Sequence, residues 1–527
     1  MTAVARRPDD RVAWASTPHP VQRWLSTWGR LSALVIAGIA QLAGLVLALT
    51  WLRAWAPTVI GLHVVLVSAA VLVIINSRME TTYKLAWAIP VCLFPLVGAL
   101  FYLLYGNRQL GRARRARLEE TKERASDALR LLPDAQTPLP AGDIQRQVTY
   151  LSNAGGFRPF DSTHTTYYPL GELGFDAMVA AIGRARRYVL AEYFIIESGE
   201  MWERLFAALA AKAAEGVDVR LLYDDLGSFF TLPLDLRNRC EAAGIKVVAV
   251  NPLSFGFTLS FQNRDHRKIL AVDGAVAFTG GINIADEYIN AIDKIGHWKD
   301  TVLRLEGPGA WGLTVLFLQL WDMLGDGEVD YTEFVPDAAR LPTSGAGVVV
   351  PFDDSPFSDT SVGEQAYRHL MQSARHSVDI FTPYLVVSDS LVRELRATAK
   401  AGIRVRIVVP HREDKWYVHL VTRSFYGVLL EAGVEVYEYT PGFIHAKSML
   451  VDDTFGLVGT INFDFRSFFL HQECGVWMHR TAALEAMRAD VDATLAVSQP
   501  VTLEEMRSAG PFRRLGKAVL RTFAPAM

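Results

Sequence analysis

Apolar positions in this chain are concentrated in three long stretches near its start, at residues 31–52, 57–76 and 85–105. Each stretch is about as long as a helix that crosses a bilayer, and the prolines Pro90 and Pro95 in the third are tolerated in such helices. We therefore expect a polar tail at residues 1–28 and a membrane region at residues 29–106 with two or three spans. The third stretch has an alternative interpretation as a buried or interfacial helix.

Basic residues set the expected orientation of this region. Arginines follow the third stretch at positions 108, 112, 114, 115 and 117. Positive charge beside an apolar stretch marks the cytoplasmic side of a membrane. Residues 107–145 are therefore predicted to be a charged helix and linker that lead into cytoplasmic domains. The tail at residues 1–28 also holds arginines, and three spans cannot place both ends on one side, so the number of spans and the side of the N-terminus stay open.

From about residue 150 the pattern changes to short strands that alternate with amphipathic helices, and it does so twice. In the first half we expect strands at 188–196, 217–223 and 245–250 and a helix at 202–214. In the second half we expect strands at 378–381, 403–409 and 434–439 and helices at 391–401 and 425–432. Such alternation predicts α/β domains with a largely parallel sheet and right-handed connections. The predicted domains are residues 146–332 and 348–527, joined by a linker at 333–347.

One short motif occurs in both halves with the same spacing. A histidine is followed two residues later by a lysine and five residues after that by an aspartate, and an asparagine follows at a matching distance. The motif residues are His266, Lys268, Asp273 and Asn283 in the first copy and His445, Lys447, Asp452 and Asn462 in the second. The residues between histidine and aspartate are mostly apolar and predict a half-buried strand, on which histidine and lysine share a face. Two copies indicate a duplicated domain with a pseudo-twofold interface and one site across it.

These residue types suit chemistry at phosphorus. Lysine ammonium groups bind phosphate, and an imidazole acts as nucleophile or as general acid and base near neutral pH. Asn283 and Asn462 follow glycine-containing turns and are expected to donate hydrogen bonds to phosphate oxygens, or else only to form the turns. Asp273 and Asp452 belong to the catalytic motif but end its predicted strands, so we expect them to brace the loop rather than to move protons.

A histidine nucleophile needs an acceptor on its second ring nitrogen, so that the attacking nitrogen is unprotonated. One carboxylate follows each motif at a similar distance, Asp300 in the first half and Glu473 in the second. We predict that these two carboxylates orient the histidines, with surface carboxylates as the alternative interpretation. His297 and His471 lie close to them in the sequence, but no second pattern supports a catalytic role for either.

Composition narrows the class of protein only a little. The 527 residues carry a net charge of −3, and bulk charge therefore gives no sign of a nucleic-acid-binding protein. A basic, amphipathic tail at residues 512–523 is expected either to lie on an anionic membrane surface or to pack on the second domain. The three cysteines, Cys92, Cys240 and Cys474, are far apart and form neither a metal-ligand spacing nor a disulfide framework.

The two copies of the motif resemble the HxKxxxxD signature of the phospholipase D superfamily. Within it the chain is most similar to the bacterial cardiolipin synthase family, over nearly its whole length after the first apolar stretch. The segments that carry the resemblance are Trp87 and residues 95–98, 102–106, 191–195, 263–268, 280–288, 382–384 and 462–467. That family usually has two N-terminal spans, similar to the second and third stretches here. It often has a proline in the segment that corresponds to residues 385–388 of this chain, where none occurs.

The resemblance implies two tandem phospholipase D-like α/β domains, preceded by transmembrane helices in the plasma membrane. It implies transfer of a phosphatidyl group between two phosphatidylglycerol molecules through a phosphohistidine, with cardiolipin and glycerol as products. Membrane phospholipids are then the partners, no nucleic acid, metal or other cofactor takes part, and the oligomeric state is open. The family more often assigns the nucleophile to the first histidine, here His266, with Asp300 expected to orient it. Arg264 would share the strand face of His266 and is expected to help bind the phosphate.

Three other functions are compatible with the same motifs. A phospholipase D would use the same residues with water as acceptor, and the sequence hardly separates it from a transferase. A nuclease of the superfamily would normally lack the apolar spans and show a basic groove. A non-catalytic membrane scaffold of the same fold is disfavoured because histidine and lysine are intact in both copies.

Overall fold

Two mixed β-sheets, one from each half of the chain, dominate the structure. This computed structural model describes residues 35–44, 46–47, 56–77, 79–106, 112–133, 135, 142–252, 263–324, 328–358, 360–507, 516 and 520–522. Its helices are Ala56–Asn76, Thr81–Leu93, Pro95–Phe101, Arg112–Leu129, Asp143–Gly155, Gly171–Gly183, Glu200–Ala214, Leu236–Ala242, Pro308–Leu324, Val362–Ser373, Asp389–Lys400, Trp416–Leu430, Phe465–Phe469, Ala483–Ala496 and Leu503–Arg507.

The strands are numbered in chain order. Those of the first half are β1 (His164–Tyr168), β2 (Tyr188–Tyr193), β3 (Asp218–Asp224), β4 (Lys246–Val250), β5 (Ile269–Val272), β6 (Val276–Gly280), β7 (His297–Lys299) and β8 (Val302–Glu306). Those of the second half are β9 (Val348–Asp354), β10 (Ser377–Phe381), β11 (Arg404–Pro410), β12 (Glu435–Tyr439), β13 (Gly442–Ile444), β14 (Ser448–Val451), β15 (Phe455–Gly459), β16 (Glu473–His479) and β17 (Ser498–Pro500).

Both sheets are more antiparallel than the sequence predicted. The first has the order β1-β8-β6-β5-β2-β3-β4 and the second β17-β12-β11-β10-β14-β15-β16-β9. Within the described strands, only the β2–β3, β3–β4, β10–β11 and β11–β12 pairs of these sheets are parallel. The expectation of a largely parallel core is therefore wrong. The motif strand in each half returns through a tight turn as a hairpin, β5–β6 or β14–β15, and hairpin strands are antiparallel.

The motif histidines and lysines lie just before a strand rather than within it. The strands that follow them, β5 and β14, begin at Ile269 and Ser448, one residue after each lysine. The expectation that histidine, lysine and Arg264 share one strand face is therefore wrong. Backbone groups at these positions bond to the opposite half of the chain instead, for example from the His266 N–H to the Gln472 carbonyl at 2.8 Å.

Asp273 and Asp452 tie the turn after each motif strand to a neighbouring strand. Both residues have left-handed backbone conformations, with φ of 52° and 51°. The Asp273 carboxylate accepts the backbone N–H groups of residues 186–188 at 2.8–3.0 Å. The Asp452 carboxylate accepts those of residues 375–377 at 2.7–2.8 Å. Each aspartate therefore holds the backbone at the start of β2 or β10, and Asp273 also pairs with Arg340 at 3.0 Å.

One apolar core joins the two halves. A single cluster of buried side chains contains Leu190 and Ala271 from the first sheet and Val350 and Val476 from the second. The Asp143–Gly155 helix, which precedes the first sheet in the chain, reaches the second, where Gln147 Oε1 accepts the Trp477 indole N–H at 2.9 Å. A rigid joint of this kind is what a site shared between the halves requires.

The N-terminal apolar stretches differ in how they fold. The described part of the first, residues 35–44 and 46–47, is helical, and the second coincides with the Ala56–Asn76 helix. The third folds back on itself instead of forming one helix. The Thr81–Leu93 helix gives way at Phe94 to a second one that starts at Pro95 and packs Gly98 against Val91. Across the described part of the chain, no helix meets the length and apolarity needed to cross a membrane.

Within the described part of the C-terminal tail, residues 516 and 520–522, Leu520 and Arg521 pack on the second half. Leu520 adjoins the apolar core. The Arg521 guanidinium lies 4.4 Å from the centroid of the Phe425 ring and 3.8 Å from the Asp389 carboxylate. Of the two interpretations of this tail, these contacts favour packing on the second domain.

Asp452→Asn tests the structural role of the motif aspartate. The amide keeps only one acceptor oxygen for three N–H groups, so we expect the free energy of unfolding to fall by about 1–3 kcal/mol. Activity per folded molecule should stay within a few-fold of the wild type. Denaturant unfolding and turnover would be measured beside Asp453→Asn, whose carboxylate is 59 % exposed. Unchanged stability with more than about a hundredfold loss of turnover, or about 2.7 kcal/mol of activation free energy, would return Asp452 to the catalytic machinery.

Candidate active site

Backbone exchange between the two halves positions the motif histidines. Strand β7 of the first half pairs in parallel with β13 of the second, and the His445 N–H donates to the Lys299 carbonyl at 2.7 Å. On the other side Asp265 forms a bridge with Gln472. Each histidine is therefore fixed beside the segment of the opposite half that carries a carboxylate.

The carboxylates consequently pair across the interface. His266 Nδ1 lies 2.9 and 3.0 Å from the two carboxylate oxygens of Glu473. His445 Nδ1 lies 2.7 Å from Asp300 Oδ2. The structure brings both predicted carboxylates to the histidines, but the expectation that Asp300 orients His266 is wrong. Asp300 contacts His445 because β7, which ends at Lys299, pairs with the strand that leads into the second motif rather than with the first motif.

Both histidines are buried and held in the neutral form. Burial lowers the pKa of His266 well below its usual value, and the charge of Lys268 lowers it further. Burial likewise lowers the pKa of His445, with Lys447 as the next cause and Lys268 after it. Because each histidine feels the lysines of both motifs, the two copies form one electrostatic site. With Nδ1–H donated to a carboxylate, Nε2 of each ring is left as the unprotonated nitrogen.

The two motif lysines fold back onto their own histidines. Lys268 Nζ donates to the His266 carbonyl at 2.5 Å and lies 5.4 Å from the centroid of the Phe194 ring. Lys447 Nζ donates to the His445 carbonyl and lies 2.8 Å from His445 Nδ1. Burial lowers the pKa of Lys268 to about 8 and that of Lys447 to about 7. Two buried ammonium groups with so few anionic partners favour an anion as the ligand.

The two carboxylates have different surroundings. Burial raises the pKa of Asp300 to about 7, against the charge of Lys447 and a hydrogen bond from the Thr301 backbone N–H at 2.8 Å. Burial also raises the pKa of Glu473, against the charge of Lys268. Glu473 Oε2 accepts the hydroxyl of Thr460 at 2.6 Å. The position that matches Thr460 in the first half is Gly281, where a side chain would collide with Asp300.

The predicted phosphate-binding residues are mostly occupied by protein groups. Asn283 accepts the Ile195 N–H at 3.1 Å and donates to the Tyr288 hydroxyl at 2.8 Å, which agrees with its alternative role in forming the turn. Arg264 donates to the Asn251 carbonyl at 2.9 and 3.2 Å and lies 3.5 Å from Asp224. Asn462 differs, because its buried Oδ1 has no hydrogen-bond partner among the described residues.

The structure adds His471 to the site. Its ring centroid lies 5.4 Å from that of His266, and its Nδ1 lies 3.8 Å from Glu473 Oε1. In the other half Trp298 stands in the same relation to His445, with ring centroids 5.5 Å apart. Each ring occurs two residues before the carboxylate of its own half, Glu473 or Asp300. This shared position is the sequence feature that could have indicated a place for His471 in the site. His297 instead contacts the Tyr439 hydroxyl at 2.9 Å.

A metal ion fits this site poorly. His266, His471 and Glu473 place potential ligand atoms within 4.8 Å of one another. Burial lowers the pKa of His471, and the charges of Arg466, Lys268 and Arg264 lower it further, so positive charge surrounds the group. The same charges that repel a divalent cation attract a phosphate, so the donor set is better suited to an anion.

Comparison with known proteins agrees with this geometry. A family model described as "Cardiolipin synthase, PLD-like domain" matches residues 178–295 and 367–495, and a phospholipase D-nuclease N-terminal model matches residues 65–107. A cardiolipin synthase of Alkalihalophilus pseudofirmus is 31 % identical over 484 residues, which cover 91 % of this chain and 95 % of that protein. The chain belongs to the cardiolipin synthase family. The predicted family and the predicted class of enzyme, a phosphatidyltransferase, are thereby confirmed.

Further relatives extend the same result. A cardiolipin synthase of Geobacillus kaustophilus is 32 % identical over 505 residues, covering 93 % of this chain and 99 % of that protein. An uncharacterized protein of Streptococcus mutans is 36 % identical over 464 residues, covering 87 % and 99 %. The crystal structure of phosphatidylserine synthase from Haemophilus influenzae superposes with a TM-score of 0.55 at 14 % identity, covering 72 % of this chain and 97 % of that one. That superposition supports the two-domain α/β fold.

Asp300→Asn tests the crossed carboxylate–histidine pair. The ionised Asp300 accepts the Nδ1–H of His445, so wild-type activity should fall as the pH drops through about 7, where Asp300 becomes protonated. The amide cannot titrate and can hold the imidazole in the wrong tautomer, so we expect a loss of about 10³–10⁴-fold in kcat. The part of the acidic limb that Asp300 contributes should also disappear from the pH profile, which leaves the part that comes from Glu473. An unchanged limb in a folded variant would remove Asp300 from the pairing with His445.

Proposed function

We propose that this enzyme transfers a phosphatidyl group from one phosphatidylglycerol to another, with cardiolipin and glycerol as products. The observation that carries the proposal is the pair of His–Lys motifs in one buried cationic site, where each histidine contacts a carboxylate of the opposite half. A neutral imidazole with a fixed tautomer can act as a nucleophile. The imidazole of the other motif can then act as general acid and base. The names of the cardiolipin synthases similar to this chain support the choice of lipid.

In the first step His266 attacks phosphorus. Glu473 accepts the Nδ1–H of His266, and the unprotonated Nε2 forms a bond to phosphorus while the bond from phosphorus to the glycerol oxygen breaks. The departing glycerol oxygen takes a proton from Nε2 of His445, which therefore enters this step as the imidazolium with its Nδ1–H donated to Asp300. The negative charge of the bound phosphodiester favours that charged form. The transferred proton is shared within the cluster of His445, Asp300 and Lys447, because the pKa values of Asp300 and Lys447 both lie near 7.

In the second step the hydroxyl group of another phosphatidylglycerol gives its proton to His445. Its oxygen attacks phosphorus, and the bond between phosphorus and His266 breaks, which regenerates the enzyme. Lys268 and Lys447 stabilise the charge on the phosphoryl oxygens throughout. The choice of His266 as nucleophile rests on the family resemblance, because the two motifs are nearly symmetric.

We propose that the N-terminal region holds the enzyme on a membrane, with its catalytic half on the cytoplasmic side. Large apolar side chains on the Ala56–Asn76 helix are 60–62 % exposed, namely Ile60, Leu62, Val65, Leu72 and Val73. Exposed apolar surface of this extent favours contact with lipid. The neighbouring Tyr83 stacks on Phe465 at 5.5 Å, a few residues after Asn462, so this region lies beside the catalytic segment. The arginines that follow residue 107 supply the argument for the cytoplasmic side.

Product analysis separates this proposal from its alternatives. Purified protein with labelled phosphatidylglycerol should form cardiolipin and glycerol, whereas phosphatidic acid as the main product would indicate a phospholipase D. No consumption of lipid by folded protein would indicate a scaffold. Resistance to trypsin digestion and the unfolding temperature serve as controls that the protein is folded.

His266→Ala and His445→Ala test the division of labour between the two histidines. We expect each change alone to nearly abolish turnover, because one displacement needs a nucleophile and both steps need an acid–base partner. Labelled phosphoenzyme should accumulate slowly in His445→Ala, where His266 can still attack if the leaving group departs unaided, and it should be absent in His266→Ala. Mass spectrometry of the modified peptide would detect it. Label on His445 in the wild type would reverse the roles, and near-normal turnover in either variant would refute the shared site.

Activity should survive EDTA. In this proposal Lys268 and Lys447 stabilise the negative charge on the phosphoryl group, so removing divalent ions should not lower the turnover. Turnover would be measured in mixed micelles with and without chelator, since added cations also screen anionic lipid surfaces. Complete loss on chelation, restored by one metal alone, would overturn the metal-free mechanism.

A further inference from the structure

His471 distinguishes the two otherwise similar halves of the site. The rings of His471 and His266 are inclined by 40°, and those of Trp298 and His445 by 44°, so the two pairs match in geometry. One half therefore places an indole over its histidine and the other a titratable imidazole. The His471 imidazole lies beside Glu473, and the mechanism described above gives it no role.

The orientation of the His471 ring follows from Arg466. The Arg466 Nε–H donates to His471 Nε2 at 3.3 Å, so Nε2 is the acceptor and the ring proton lies on Nδ1. His471 is 8 % exposed, and its Nδ1 has no hydrogen-bond partner among the described residues. A buried N–H without a partner is costly, and Glu473 Oε1 lies 3.8 Å from this nitrogen.

Glu473 needs hydrogen-bond donors to stay ionised. A buried carboxyl favours its protonated form, and a protonated Glu473 would no longer accept the Nδ1–H of His266. The Thr460 hydroxyl supplies one donor at 2.6 Å, at a position where the first half has only Gly281. The second half thus surrounds its carboxylate with side-chain donors that the first half lacks.

We propose that His471 is a positioning residue that directs its Nδ1–H at Glu473 and keeps that carboxylate ionised, so that His266 retains an unprotonated Nε2. The inference rests on the proposed use of His266 as nucleophile. The N–H dipole acts on Glu473 at 3.8 Å in the resting site, and it becomes a full hydrogen bond as positive charge develops on His266.

Other charges also act on this pair and must stay constant in the test. The charged or titratable groups that influence Glu473 and His471 are His266, Lys268, Asp464, Arg466, Arg264 and Lys415. None of them is changed by substitution at position 471. A shift in the pH profile can then be assigned to the lost N–H.

The chain offers a matched pair of variants. In His471→Asn the amide nitrogen can take the place of Nδ1 and still donate to Glu473. In His471→Gln the amide reaches the position of Nε2 beside Arg466 and leaves Glu473 without this donor. Both variants keep a polar side chain, so they separate the donor from general packing.

The experiment measures kcat/KM for total phosphatidylglycerol consumption against pH. We expect the acidic limb of His471→Gln to move up by about 0.5–1 pH unit, because Glu473 then protonates more readily, and that of His471→Asn to stay near the wild type. Equal behaviour of the two variants, with a loss of rate but no shift, would show a structural role only and overturn the proposal.

A second readout needs no substrate turnover. Diethyl pyrocarbonate acylates unprotonated imidazole, and mass spectrometry can follow its reaction at His266 as a function of pH. The same shift should appear in His471→Gln, or in His471→Ala if the glutamine variant fails to fold. If the wild type consumes no lipid, the proposed function fails while this measurement still decides the role of His471. An unshifted His266 profile would refute that role.

Discussion

The exchange of backbone pairing between the two halves is the constraint on which the site depends. Strand β7 of the first half pairs with β13 of the second, and Gln472 of the second pairs with the segment that contains His266. Each half alone would hold a histidine without its carboxylate. Because the two contributions are reciprocal, the active site forms only when both sheets are folded and joined, and the shared apolar core makes that joint rigid.

Burial then determines the chemistry. Removing the site from water lowers the pKa of both histidines and both lysines, and it raises the pKa of both carboxylates. Each group is thus moved toward its neutral form, so small differences among neighbours decide where protons reside. The negative charge of an incoming phosphodiester favours the charged ammonium form of both lysines. The site therefore favours the bound anion and the charged transition state that follows it.

Near-symmetry with local differences explains how similar motifs can serve unlike roles. The first half has Gly281 and Trp298 near its carboxylate, whereas the second has Thr460 and His471. These differences leave the strand order around the motifs unchanged. They alter only the donors and rings that surround each carboxylate, which is where a nucleophile and an acid–base group need different settings.

The sequence by itself determined the duplicated motif, the phosphorus chemistry, the family and several strands and helices of each half, because these follow from residue type and from spacing along the chain. Only the tertiary structure decided that Asp300 belongs to His445 and Glu473 to His266, that Asp273 and Asp452 bind backbone, and that His471 adjoins the site. Those partners are 75 to 207 residues apart along the chain. Local spacing carries no information on them, since strand exchange and burial across the interface place these side chains together.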